Sequence, residues 1–202
     1  QPVFRLSVLG ILLLELFSFI AWALPSFGNI AFIVIALVVL ALTLKDLRIG
    51  IAIVLMELII GSHGYLFSLA PELLGVAIRH AIFLIVMTVG ALRVYQEKTF
   101  KFYSSSYFFP LLILTAGICF SAFWGLIQGN ELSNIFFDAN AFLFLALAIP
   151  LWQAIESRKD LELLVYASLA ALIMSTVKVF FLLYAFSHQF WWMLRETYKW
   201  VR

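Results

Sequence analysis

Six ionisable side chains lie within long apolar segments of the chain, where they could perform chemistry. They are Glu15, Glu57, His63, Arg79, His80 and Lys178. Near the centre of a membrane helix each such group costs about 2.5–3.5 kcal/mol, so it usually pairs with another group, lines a polar cavity or binds a substrate. Imidazole and carboxylate groups accept protons, and guanidinium groups bind anions. The sequence therefore predicts a polar site within an apolar protein.

The stretch ELIIGSHGYLF, residues 57–67, places several of these groups in one apolar run. If the run is helical, Glu57, Gly61, Gly64 and Ser68 share one face. Glycines on such a face let a second helix approach closely, and a carboxylate would be costly against lipid. We therefore expect this stripe to face another helix, with Glu57 in a structural role.

The helical rise of about 1.5 Å per residue predicts which polar groups share a depth. His63 lies about 9 Å from one end of its predicted span, and Arg79 and His80 lie about 6–8 Å from the same side in the next span. These three can occupy one layer. Glu15 and Lys178 both lie about 12–14 Å from that side and are expected to form an ion pair, with a structural role favoured over a catalytic one.

The composition is typical of an integral membrane protein. Hydrophobic residues make up 65% of the 202 residues, charged residues 12%, and the mean hydropathy is +1.09. Soluble domains are about half apolar and one quarter charged, and a soluble fold of this size could not hide so much apolar surface. The scattered Lys and Arg residues argue against nucleic acid as a partner. The single Cys119 excludes a disulfide framework and a multi-cysteine metal site.

Seven segments are long enough to cross about 30 Å of hydrocarbon as helices. They cover residues 6–24, 28–44, 49–69, 75–92, 107–127, 139–155 and 161–186. The Lys and Arg residues of the short loops before residue 187 fall on one side of this arrangement. The connections on the other side, at 25–29, 70–74 and 128–138, have none. The positive-inside rule then predicts an all-α transmembrane bundle with a cytoplasmic N-terminus. Residues 1–186 would form this domain, and 187–202 would begin a truncated extracytoplasmic segment.

The predicted external connection at 128–140 contains amides and two carboxylates but no Lys or Arg. Asn134, Asp138 and Asn140 could donate and accept hydrogen bonds with a hydroxyl-rich ligand. The alternative is that they serve as turn and capping residues, with Asp138 as the N-cap of the sixth span. The chain contains no GxGxxG, GxxxxGK[ST], HExxH, CxxC or GxSxG motif, which argues against nucleotide hydrolysis, zincin chemistry and a serine hydrolase.

Four segments together resemble the N-terminal half of the O-antigen ligase and polysaccharide polymerase family. They are ELIIGSHGYLF, IRHAIFLIV, GLIQGNELSNIFFDANAFLFLALAIPLW and RETYKWVR, and the resemblance extends from about residue 27 to residue 202. It implies a multi-pass protein of the bacterial inner membrane. Such a protein transfers a polyprenyl-pyrophosphate-linked glycan to lipid A core or to a growing glycan at the external face, without a metal or other cofactor.

Predicted depth and the resemblance together suggest roles for individual residues, although His63 and His80 are assigned by depth and match no motif of the family. Arg79, the only arginine inside a predicted span, is the main candidate for contact with the donor pyrophosphate, and snorkelling to lipid headgroups is the alternative. His63, His80 and Arg195 are the catalytic candidates. Because the family has essential Arg and His residues in a large external loop that would begin after residue 186, we expect the fragment alone to be inactive.

Two other functions remain open at this point. The chain could be half of a transporter or of a flippase for lipid-linked glycans, with Glu57, His63 and Lys178 as a proton or substrate relay. It could also be a non-catalytic membrane scaffold. A transporter would favour an inverted repeat with helices broken at matching places, and the sequence shows no such match.

Overall fold

The computed structural model describes residues 2–61, 67–69 and 76–188. These ranges contain eight α-helices: α1 (Pro2–Ala23), α2 (Pro25–Lys45), α3 (Leu47–Ile60), α4 (Ile78–Glu97), α5 (Phe108–Ile127), α6 (Leu132–Leu143), α7 (Ala148–Ala154) and α8 (Arg158–Ser187). Two 3₁₀ turns, Lys101–Ser104 and Phe144–Leu147, lie before α5 and between α6 and α7. Strands β1 (Ser68–Leu69) and β2 (Val76–Ala77) form a two-residue antiparallel pair.

Long apolar helices dominate the described part of the chain. Six segments there are long and apolar enough to cross a membrane: Pro2–Ala23, Phe27–Lys45, Ile78–Glu97, Phe108–Ile127, Leu132–Ala154 and Arg158–Ser187. The segment Leu132–Ala154 combines α6, the second 3₁₀ turn and α7. The predicted all-α class is confirmed, and the chain is a multi-pass membrane protein.

Helix α3 lies at the centre of the bundle and packs against α8, α4 and α2. Its buried side chains Leu47, Ile51 and Val54 are at most 1% exposed and belong to the main apolar core. Helix α8 presents Ala170 and Ala171, both fully buried, and small residues of this kind let two helices approach closely in lipid.

Helix α5 lies at the edge of the bundle, since none of its residues is buried. It contacts α6 near one end and the Lys101–Ser104 turn near the other.

The third predicted span is wrong beyond Ile60, where α3 ends. The 14 residues of α3 cover about 21 Å, which is less than the hydrocarbon thickness of about 30 Å. Gly61 adopts a left-handed conformation, with φ of 66°, and its amide donates to the Glu57 carbonyl at 2.8 Å. Glycine takes this conformation without steric cost and commonly ends helices. The predicted stripe from Glu57 to Ser68 therefore does not lie on one helical face, and Gly64 is outside the described residues.

The sixth predicted span, 139–155, begins seven residues too late, because α6 starts at Leu132. Ile135 lies close to Gly125 of α5, in a segment whose polar residues are typical of a loop but which is helical. The fourth span also differs, since α4 covers Ile78–Glu97 instead of 75–92. The boundaries of α1, α2, α5 and α8 agree with the predicted spans to within a few residues.

One end of the bundle contains the α2–α3, α4–α5 and α7–α8 connections, and we call it the cation-rich end. Arg48 joins two of these connections, because it forms a bidentate ion pair with Asp46 at 2.7–3.1 Å and a second ion pair with Asp160 of α8. This pairing, mainly the hydrogen bond from Arg48, lowers the pKa of the Asp46 carboxyl. Asp160 also completes a capping box with Ser157 at the start of α8.

The α4–α5 connection is joined to α7 by a second set of contacts at the same end. The Gln153 amide is 3% exposed, and its Nε2 donates to the Glu97 carboxylate at 2.6 Å and to the Thr99 carbonyl at 3.1 Å. Lys101 forms an ion pair with Glu156, and this contact lowers the pKa of the Glu156 carboxyl. The cation-rich end is therefore fixed by polar contacts between all three of its connections.

Candidate functional site

The end of the bundle opposite the cation-rich end contains the first turn of α4. Ile78 begins this helix, and its amide donates to the Phe67 carbonyl at 2.9 Å. Both side chains are 1% exposed and belong to the main apolar core. Arg79 and His80, which follow Ile78, are half-buried. A non-helical segment packed into the core thus holds two of the predicted site residues in place.

Arg79 reaches across to the truncated helix α3. Its Nη2 donates to the Gly61 carbonyl at 2.7 Å. Carbonyl groups at a helix C-terminus lack intrahelical partners and form the negative end of the helix dipole, so a cation there is favourable. Arg79 therefore stabilises the end of α3, and its guanidinium has further N–H donors with which it can hold an anion.

His80 contacts α6 through Asn140. Its Nε2 lies 3.0 Å from Asn140 Oδ1, and its ring lies 6.2 Å from the ring of Phe144, measured between centroids. An amide oxygen can only accept, so Nε2 donates in this arrangement and Nδ1 of the neutral ring is left as a proton acceptor. Both residues are candidates from the sequence, but their contact was not predicted, because it joins residues 60 positions apart on two different helices.

Asn134 and Asp138 lie one turn apart on α6, and both are exposed. The interpretation of Asp138 as an N-cap is wrong, because Glu131 occupies the N-cap position of α6. Their amide and carboxylate groups remain available for hydrogen bonds with a polar ligand at this end of the bundle.

Glu15 and Lys178 form an ion pair between α1 and α8, as their predicted depths allow. Lys178 Nζ contacts Glu15 Oε1, and the two side chains are 15% and 13% exposed. Ile11 of α1 packs in one cluster with Ile60, the last residue of α3. Since Glu15 follows Ile11 by one helical turn, the ion pair lies just beyond the end of α3.

Glu57 is 7% exposed on α3, so it faces protein and not lipid, as expected. Glu15, Glu57 and Lys178 are all held inside the bundle, and this protein environment offsets part of the cost of charge in a membrane.

Two catalytic candidates from the sequence, His63 and Arg195, lie outside the described residues. The predicted layer of His63, Arg79 and His80 therefore stays a prediction, because Arg79 and His80 are consecutive residues of α4 and His63 is outside the described residues. Within the described ranges, no group of three or more His, Cys, Asp or Glu side chains could hold a metal ion.

Comparison with models of known protein families, with curated proteins and with solved structures gives no match for this chain.

Proposed function

We propose that this chain is the membrane-embedded part of a glycosyltransferase that uses a polyprenyl-pyrophosphate-linked glycan. It would transfer the glycan to lipid A core or to another glycan at the external face of a bacterial inner membrane. The main support is the pairing of His80 with Asn140 immediately beside Arg79, at the end of the bundle opposite the cation-rich connections. The resemblance to O-antigen ligases and polymerases supports the substrate class.

The chemistry of these groups fits the transfer step. The acceptor hydroxyl would attack the anomeric carbon while the bond from that carbon to the pyrophosphate oxygen breaks, and the lipid pyrophosphate would leave with the bonding electrons. Nδ1 of His80 would take the hydroxyl proton, since Nε2 is occupied by Asn140. Arg79 would stabilise the charge that develops on the leaving pyrophosphate. Asn134 and Asp138 would bind sugar hydroxyl groups.

A transfer assay with the whole protein tests this proposal. His80→Ala is expected to lower transfer at least 100-fold, because a positioned general base contributes about 10²–10⁴. Asn140→Ala should give a smaller loss, since it removes the group that orients the ring. His188→Ala is the matched control, because His188 is an exposed histidine at the end of α8, where it contacts Tyr184. Equal transfer by the His80 and His188 variants, at equal expression, would reject the proposed base.

We also propose that the chain crosses the membrane seven times with its N-terminus in the cytoplasm. The third crossing would include α3, and the cation-rich end would be cytoplasmic. Single cysteines at Asn29 and Gly129 should then react with an impermeant reagent from outside, and one at Lys98 should not. The opposite labelling pattern would show that the protein has the reverse orientation in the membrane.

Half of a transporter or flippase remains the second candidate, and one observation favours it. Transporters bind substrates at interrupted helices, and α3 stops at Gly61 next to the Glu15–Lys178 ion pair. In liposomes containing the whole protein, movement of a lipid-linked glycan across the bilayer without formation of a glycosidic bond would support this alternative over transfer.

A further inference from the structure

A cavity of about 560 Å³ opens at the cation-rich end, where α4 finishes. It is lined by Val94, Tyr95, Gln96, Lys98, Thr99 and Phe100. Lys98 ends the helix in a left-handed conformation, with φ of 52°, and the chain turns there toward α5. The cavity therefore combines one cation with two aromatic rings.

The carboxylates of the cation-rich end are already in ion pairs. Arg48 binds Asp46 and Asp160, Lys101 binds Glu156 and approaches Glu97 at 3.8 Å, and Arg158 lies 3.7 Å from Glu162. Within the described ranges, no carboxylate is within ion-pair distance of the remaining cations, Lys45, Arg93, Lys98 and Lys159. Of these four, Lys98 lines the cavity. Lys98 therefore gives the cavity a positive charge, and no carboxylate of the described residues forms an ion pair with it.

Exposed aromatic side chains surround the same end of the bundle. Tyr95 is 82% exposed, Tyr103 69%, Tyr107 64% and Trp152 40%. Tyrosine and tryptophan concentrate where a membrane protein crosses the headgroup layer, because their rings are apolar and their N–H or O–H groups are polar. These exposed aromatic side chains indicate that the cavity lies at the level of the lipid headgroups.

We propose that this cavity binds the headgroup of an anionic phospholipid from the adjacent leaflet. The Lys98 ammonium would contact the phosphate, and Tyr95 and Phe100 would pack against the glycerol and the first methylenes of the acyl chains. Each Lys or Arg near the membrane surface attracts anionic headgroups by about 1 kcal/mol. The proposal does not depend on the glycosyltransferase function, because it uses residues at the other end of the bundle.

Native mass spectrometry of the whole protein in an uncharged detergent tests the proposal. Titration with short-chain phosphatidylglycerol and phosphatidylcholine measures the dissociation constant of the first bound lipid. We expect phosphatidylglycerol to bind at least about fivefold more tightly, the preference expected for one lysine near an anionic headgroup. Lys98→Gln should remove this preference and Lys98→Arg should keep it.

Lys159→Gln is the matched control, since it removes the same charge from the same end at an exposed position away from the cavity. It should keep the preference for phosphatidylglycerol. Equal losses in the Lys98→Gln and Lys159→Gln variants would overturn the proposal, as would equal affinity of the unmodified chain for both lipids. Displacement of phosphatidylglycerol by an equal concentration of inorganic phosphate, at constant ionic strength, would show a site for free phosphate and would also overturn it.

Discussion

Replacing Lys178 with methionine is expected to lower the free energy of unfolding by about 3–5 kcal/mol. The substitution keeps most of the side-chain volume but leaves Glu15 charged inside the bundle, where its side chain is 13% exposed. Removing one member of a buried ion pair is costly because the remaining charge has lost a compensating partner and is still shielded from water. Glu15→Gln should destabilise the bundle for the same reason.

Removing both charges should cost less than removing either one. In the double variant Glu15→Gln, Lys178→Met no charge from this pair remains buried, so most of the loss should be recovered. Unfolding in mixed micelles with increasing sodium dodecyl sulfate would measure all four proteins. Arg158→Gln serves as the control, because Arg158 pairs with Glu162 on the surface, where its side chain is 92% exposed, and little change is expected. Additive losses in the double variant would show that the pair has no energetic coupling.

The Glu15–Lys178 contact could be predicted from the sequence because both residues lie on uninterrupted helices. Along α1 and α8 the rise per residue is constant, so equal distance from one end places two side chains at equal depth. The ends of α1, α2, α5 and α8 were also close to the prediction, since length, hydropathy and turn residues are local properties. These features need no knowledge of tertiary contacts.

The end of α3 and the start of α6 could not be predicted in the same way. The sequence stays apolar past Gly61, but α3 ends there. Arg79 of α4 donates a hydrogen bond to the Gly61 carbonyl and so caps this end of α3. Conversely, Asn134 and Asp138 are typical of loops, but they lie in α6, where Ile135 lies close to Gly125 of α5. Contacts between separate helices, such as that of Arg79 with Gly61, are not visible in a local reading of the sequence and can override local propensity.

Substitution of Arg79 should also have a large effect on the proposed glycan transfer. Its Nη2 caps α3 through the Gly61 carbonyl, which a lysine ammonium could also reach. A phosphate contact would in addition use the guanidinium fork, which binds two oxygens at once and which lysine cannot reproduce. Capping alone and capping with phosphate binding therefore predict different behaviour for Arg79→Lys.

If Arg79 binds the donor pyrophosphate, Arg79→Lys should retain thermal stability close to that of the unmodified protein but lower transfer about 10- to 100-fold. This range corresponds to the loss of one charge-assisted hydrogen bond worth about 1.5–3 kcal/mol. Arg79→Ala should lose both transfer and stability, because the end of α3 loses its cap. Arg93→Lys, near the other end of α4, is the matched control and should leave both unchanged. If Arg79→Lys transfers glycan as fast as the Arg93→Lys control, Arg79 has a purely structural role. Its hydrogen bond to the Gly61 carbonyl would then be enough to explain the effects of its substitution.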